Sequence, residues 1–159
     1  MKEMGNLLAE GNGKDNGAIN FYVSSGIIIA IVSLVLASLA NEWAHFLTPE
    51  GRSILQTLFV SLSVIAIILG ILDGIAVSKT VIKVYENGVL GKGLSKWFYL
   101  GDIRNFDFIL AYDQISVDVN GWTLNIHSPG TYCKVYVSNG LEIQQTIYQH
   151  RQKLAGKSD

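Results

Sequence analysis

Hydrophobic and polar positions follow three regimes along this chain. Residues 1–20 are polar and glycine-rich, residues 21–40 and 53–72 carry no charge, and the second apolar run continues past Asp73 to Val77. Beyond Ser78 the texture becomes short apolar–polar alternations punctuated by turn residues, so about residue 78 lies the clearest internal boundary. A helix crossing the hydrocarbon core needs roughly 20 apolar residues. The pattern therefore predicts a membrane α-hairpin with spans at 21–40 and 53–77, preceded by a polar tail over 1–20. A buried helix of a soluble domain is disfavoured, because two such runs in 159 residues leave little polar surface. Ser38-Leu39-Ala40 resembles a signal-peptide cleavage site, but the apolar run is longer than a usual signal core and Glu3, Glu10 and Asp15 precede it.

Lysine and arginine placement sets the expected orientation. The loop over 41–52 carries only Arg52, whereas Lys2 and Lys14 precede the first span and Lys79, Lys83, Lys92 and Lys96 follow the second. Both termini are expected to be cytoplasmic, with Trp43 and Phe46 at the opposite interface and Pro49 and Gly51 in a tight reversal. Small residues recur on one face of each span: Gly26, Ala30, Ser33, Ala37 and Ala40 in the first, and Ser63, Ala66, Gly70 and Gly74 in the second. Helices in lipid associate by close packing, so these faces are expected to meet. The competing possibility is that one stripe pairs with another subunit. Asp73 is the one acid inside a span. Intramembrane acids are functional candidates by default, yet Asp73 sits near the cytoplasmic end, where an interfacial role competes with a proton relay.

The second half reads as strands. Residues 80–85 alternate, Glu86-Asn87-Gly88 offers a hairpin through Asn-Gly, and 89–93 would return. Further strands are expected at 96–100, 103–110, 114–120, 122–127 and 131–137, with turns at Asn120-Gly121 and Ser128-Pro129-Gly130. A helix then starts at Asn139, with Glu142 at the capping-box position. Leu141, Ile143, Ile147 and Leu154 would form its apolar stripe, with Gln144, Gln145, Gln149 and Arg151 facing away. Seven strands and a closing helix predict an α+β domain: a small antiparallel barrel or sandwich over 79–155, with 156–159 as a tail.

Three stretches, Thr80-Val-Ile-Lys-Val-Tyr-Glu-Asn-Gly-Val, Trp97-Phe-Tyr-Leu-Gly-Asp-Ile and Tyr132-Cys-Lys-Val-Tyr-Val-Ser-Asn-Gly-Leu-Glu-Ile, resemble the bacterial pleckstrin-homology-like domain of small membrane proteins with a pair of helices ahead of it. The resemblance covers roughly 79–155. It implies a multi-pass protein of the bacterial plasma (inner) membrane whose cytoplasmic domain is a scaffold for protein or membrane contact, often oligomeric. It supplies no active-site residues.

Composition narrows the function classes. A formal net charge of −1 argues against a nucleic-acid partner bound by bulk electrostatics. Cys133 is the single cysteine, so no intrachain disulfide can form, and it is expected to pack on a strand. Gly88-Val-Leu-Gly91-Lys92-Gly93 lacks the spacing of a phosphate loop and is expected to be a hairpin turn. His45, His127 and His150 are scattered, and no catalytic residue, metal site or cofactor is expected. Lys79, Lys83, Lys92, Lys96 and Arg104 form a candidate anionic-headgroup contact. Trp97, Phe98 and Tyr99 form a candidate partner surface, and an open strand edge forms another. The expected function is a membrane-anchored, non-enzymatic interaction module that binds a protein partner or itself. The rivals are a lipid-sensing module and a transporter or channel accessory subunit centred on Asp73.

Overall fold

The computed structural model describes residues 4–14, 16–95 and 105–156. Two compact units emerge: one comprises residues 1–19 and 75–159, the other residues 20–74.

The helical unit is built from α1 (Gly17–Ser38), a short α2 (Ala40–Trp43) and α3 (Pro49–Ser78). Thr48 caps α3: its hydroxyl accepts the Gly51 amide at 3.2 Å, and Pro49 takes the first helical position, where a missing N–H costs nothing. Pro49 and Gly51 thus open the second helix and do not form the expected reversal. Both long helices are long and apolar enough to cross a membrane, with mean hydropathies of 2.2 and 2.5 over their most apolar windows. Only 17% and 22% of those windows is buried, unlike the core helix of a soluble domain. Most of the exposed large apolar side chains among the described residues lie on these helices. Leaving each in water would cost about 1.5–3 kcal/mol. The length, the hydropathy and this outward apolar surface together suggest a membrane protein.

The second unit is an open antiparallel sheet curled into a half-barrel, with one helix across its mouth. Its strands are β1 (Leu7–Asn12), β2 (Val81–Tyr85), β3 (Gly88–Ser95), β4 (Phe106–Leu110), β5 (Ser116–Asn120), β6 (Thr123–Ser128) and β7 (Thr131–Tyr136), and α4 is Gly140–Ala155. The order is β1-β2-β3-β7-β6-β5. β4 pairs with β3 along Val89–Gly93, and β7 takes over beside Leu94 and Ser95. Inward positions of the strands, including Ile82, Val84, Leu124, Ile126 and Val135, form one core with Ile143 and Ile147 of α4.

Several expectations change here. The 1–20 segment is not simply a tail, because β1 pairs with β2 from Leu7↔Tyr85 to Asn12↔Val81. The glycine stretch after Asn87 is strand rather than turn. Gly91 lies so close to β2 that a Cβ would fall 2.2 Å from the Val81 carbonyl oxygen. The β2–β3 turn closes one residue earlier than expected, with Tyr85 opposite Gly88. The reason lies in β1's approach, since the Glu86 and Asn87 amides donate to the Asn6 and Met4 carbonyls. The expected strand at 96–100 lies outside the described residues.

The closing helix also departs from its expected faces. Leu141 is 64% exposed, while Gln144 is half-buried and Arg151, exposed as expected, reaches back to the sheet with its guanidinium. Gln144 Nε2 and Tyr148 Oη both donate to the Val117 carbonyl at 2.9 Å, and Arg151 donates to the Ile115 carbonyl at 3.2 Å. At the other end of the sheet order, Asn139 Nδ2 donates to the Glu10 carbonyl of β1 at 3.1 Å. Asn139 therefore makes no side-chain cap. β1 and β5 do not pair with each other among the described residues; Asn139, just before α4, reaches a β1 carbonyl, and Gln144 and Tyr148 of α4 reach one of β5, so the helix lies across the open mouth.

Candidate functional site

Within the sheet unit, the segments joining both long helices converge. Asn16 caps α1, its Oδ1 accepting the Ala18 amide at 2.8 Å, while its Nδ2 donates to the Trp122 carbonyl at 3.1 Å. Just after α3, the Thr80 carbonyl accepts the Gly13 amide at 2.9 Å. The Thr80 hydroxyl lies 2.8 Å from the Val77 carbonyl and 3.1 Å from that of Tyr136, and accepts the Tyr136 amide at 3.1 Å. Asn16 and Thr80 are both buried, at 3% and 1% exposure. Each is polar, and each buried polar group is satisfied, as burial requires. The chain entering α1 and the chain leaving α3 are thus fastened to the same end of one sheet.

Lysines gather beside this clamp. An open groove is lined by Glu10, Lys14, Ser78, Lys79, Thr80 and Lys92. A second, adjoining groove shares Lys79, Val81 and Lys92 and adds Lys83, Asp107 and the apolar Leu90 and Ile109. Lys83 pairs with Glu10 at 3.3 Å and Lys92 with Asp107 at 3.8 Å. Lys14 and Lys79 form no ion pair among the described residues. The structure thus brings together Lys79, Lys83 and Lys92 of the expected basic set, whereas Lys96 and Arg104 lie outside the described residues. Trp97, Phe98 and Tyr99 lie outside them too. Lys14 joins the cluster only because β1 folds onto β2, which spacing in the sequence does not reveal.

In the helical unit, Gly26, Ala30, Ser33 and Ala37 of α1 and Ser63, Ala66, Gly70 and Gly74 of α3 are all buried. Gly26 and Gly70 face each other so closely that a Cβ on either would fall 3.2 Å from the other's Cα. A Cβ on Gly26 would also fall 2.6 Å from the Ala66 carbonyl oxygen. Asp73 is half-buried, and no ion pair involves it among the described residues.

Elsewhere on the sheet, Asp118, Asn125, His127 and Tyr132 form a cross-strand polar ladder that the sequence reading missed. His127 Nε2 lies 3.4 Å from Asp118, Asn125 donates to Asp118 at 3.0 Å, and Tyr132 donates to Asn125 at 3.1 Å. Burial, then the Asp118 carboxylate and Cys133, raise the Tyr132 phenol above its ordinary value. Ser116 stands directly opposite His127 in the ladder. His127 and Asp118 are each more than half exposed, so the cluster amounts to cross-strand surface pairing. The residue types were visible in the sequence, but their adjacency depends on the β5–β6 register. Cys133 is fully buried, and burial pushes its thiol up to about 12, which makes it a packing group. His150 donates through Nε2 to the Glu86 carbonyl at 2.8 Å, so it fastens α4 to the β2–β3 turn. Among the described residues, no group of three or more acidic, histidine or cysteine side chains is placed to hold a metal.

No family model, curated protein or solved structure matches the chain. The functional reading therefore rests on geometry.

Proposed function

We propose that this chain is a two-pass membrane anchor carrying a non-catalytic, pleckstrin-homology-like domain that engages a protein partner or a second copy of itself. The observation that carries the reading is the pairing of β1 with β2. β1 precedes α1 and β2 follows α3, yet they share one ladder. Two segments of one sheet must lie on one side of a bilayer, so the helices between them must cross it an even number of times. One crossing by each helix satisfies this, with both termini together. Lysine placement supports the cytoplasm as that side, and the resemblance to small bacterial membrane proteins supports the plasma membrane. A signal sequence cleaved after Ala40 would remove β1, so the same pairing supports an uncleaved anchor.

Seven strands and one closing helix support the pleckstrin-homology-like assignment. Here the first strand comes from the far side of the helical hairpin. Asn139 occupies a carbonyl of β1, and Gln144 and Tyr148 of α4 one of β5, which leaves those edges less suited to strand addition. β4 pairs with β3 alone among the described residues, and Ile109 on it is 70% exposed. β4 is thus the surface on which partner contact is expected.

Two measurements test the proposal. Single cysteines at Glu50 and at Glu142, in a Cys133→Ser background, should be labelled from opposite sides of sealed vesicles. Labelling from the same side sinks the two-pass arrangement. Affinity purification from detergent, followed by intact-complex mass measurement, should give a mass above one chain that Ile109→Glu lowers. A monomer without partners removes the interaction role.

A further inference from the structure

We infer that the end of the sheet domain bearing the helix clamp is seated on the membrane surface, with Trp122 in the interfacial layer and Lys14, Lys79 and Lys92 facing the phosphates of anionic lipids. The inference rests on α1 and α3 being spans. It adds a lipid-binding surface to a domain whose proposed role otherwise concerns proteins.

Depth is the first argument. The apolar run of α1 begins at Phe21, four residues after Gly17. At 1.5 Å per residue, Gly17 lies about 6 Å outside the hydrocarbon. The headgroup layer is about 5–7 Å thick on each side, so Gly17 is at headgroup level. The Trp122 ring packs there, 3.5 Å from where a Cβ on Gly17 would sit, and is 49% exposed. Tryptophan concentrates at this depth because its ring is apolar and its N–H is polar. Backbone bonds fix its place: the Trp122 carbonyl accepts both Asn16 Nδ2 and the Val137 amide. Gly121 just before it has a φ of 57°, which aims the β5–β6 turn without steric cost.

Charge is the second argument. Lys79 directly follows α3, and Lys14 is three residues, at most about 10 Å of chain, from the start of α1. Both line one groove with Lys92. Glu10 and Asp107 offset Lys83 and Lys92, while Lys14 and Lys79 have no ion pair among the described residues. Among the described residues its lining holds three lysines against one acid, Glu10, so it presents net positive charge within reach of the leaflet to which the chain is tethered. Tethering keeps the local concentration of headgroups high, which favours lipid over a diffusing ligand.

The test uses the full chain, reconstituted in phosphatidylcholine vesicles with and without phosphatidylglycerol. A Trp43→Phe, Trp97→Phe background leaves Trp122 as the only tryptophan. Its fluorescence should be quenched by lipids carrying a spin label at the headgroup, and more strongly when phosphatidylglycerol is present. Joint Lys14→Gln, Lys79→Gln and Lys92→Gln substitution should abolish that extra quenching, each lysine lowering the seated-to-free ratio about fivefold. The corresponding arginine substitutions should restore it. Unquenched Trp122, or a phosphatidylglycerol effect that survives the glutamine variant, overturns the inference. A companion chain retaining only Trp43 reports insertion of the hairpin. Quenched Trp43 with unquenched Trp122 defeats the seat alone, whereas loss of both defeats the spanning reading with it.

Discussion

Isoleucine occupies opposite positions in the two units of this molecule. On α1, Ile28 and Ile31 are 60% and 56% exposed; in the sheet domain, Ile82, Ile126 and Ile143 are at 0–1%. The side chains that take the other position differ too. In the helices Gly26, Ala30 and Ser33 are buried, whereas in the domain Asp118, His127 and Lys83 face out. Water drives apolar side chains inward, and that force builds the domain core. In lipid, the solvent proposed for α1 and α3, isoleucine meets the same environment as in a protein interior, and helices gain by bringing backbones close instead. One sequence thus obeys two packing rules, and the boundary between them runs through the Asn16 and Thr80 clamps.

The contrast breaks most visibly under charge substitution. Ile126→Asp places a carboxylate in a closed core with no partner, which should cost at least about 3–5 kcal/mol and unfold the domain. Limited proteolysis of membranes should release fragments after residue 78 while the hairpin stays protected. Ile31→Asp asks the reverse question. A lone acid near the centre of a span costs about 2.5–3.5 kcal/mol on insertion scales, so membrane recovery should fall while the domain fold is kept. Equal recovery of Ile31→Asp and wild type would place α1 in water. Next in size is Gly70→Leu, whose side chain meets the Tyr22 carbonyl and Gly26. Overpacking of this kind costs about 1–3 kcal/mol. Cysteines at Ala30 and Ser63 offer a cross-linking readout, and the yield should drop in that variant.

How far the sequence disclosed this arrangement depends on how local each signal is. The spans, their small-residue faces and most strands were legible, because 20 apolar residues, a 4-3-4-3 spacing and period-two alternation are read within one segment. The partnership of β1 was not. Leu7–Asn12 holds three apolar residues beside Gly11 and Asn12, and its reason for being a strand is β2, some 70 residues away. Lys14 as a fourth groove lysine was lost with it. The outward assignment of Gln144 failed, and the backbone contact of the exposed Arg151 was missed, for a related reason. Amphipathic periodicity treats polar side chains as solvent-seeking, whereas these reach the edge carbonyls that an unclosed sheet leaves open. The Asp118–His127 ladder required the β5–β6 register, which no spacing rule supplies.

That edge chemistry gives a smaller test of the water-built half alone. Gln144→Ala with Tyr148→Phe removes both donors to the Val117 carbonyl. Each loss should cost about 1 kcal/mol, lowering the domain's melting temperature and speeding amide exchange in β5. The side-chain donors of the hairpin, such as Trp43 Nε1 to the Leu36 carbonyl, are untouched by these substitutions, so Ala30–Ser63 cross-linking should not change.

The finest discrimination comes from alkali. The buried faces of α1 and α3 carry glycine, alanine and serine, which do not titrate, whereas the domain core holds Cys133 and Tyr112. Burial raises the Cys133 thiol from 9.0 to about 12 and the Tyr112 phenol from 10.0 to about 12. Tyr112 also donates its hydroxyl proton to the Tyr85 carbonyl, a bond that ionisation abolishes. In both cases the folded state holds the proton more tightly than the unfolded chain. The stability they contribute is therefore complete below about pH 9 and drains away as pH climbs towards 12. Denaturant midpoints of the domain, followed across that window in bilayer vesicles, should fall. Cys133→Ala should remove the part of the decline that begins nearest pH 9, and hairpin cross-linking should remain flat throughout. A hairpin that loosens in step with the domain would mean that the two packing rules are not separable, and that the clamp transmits what happens in the water-built half into the lipid.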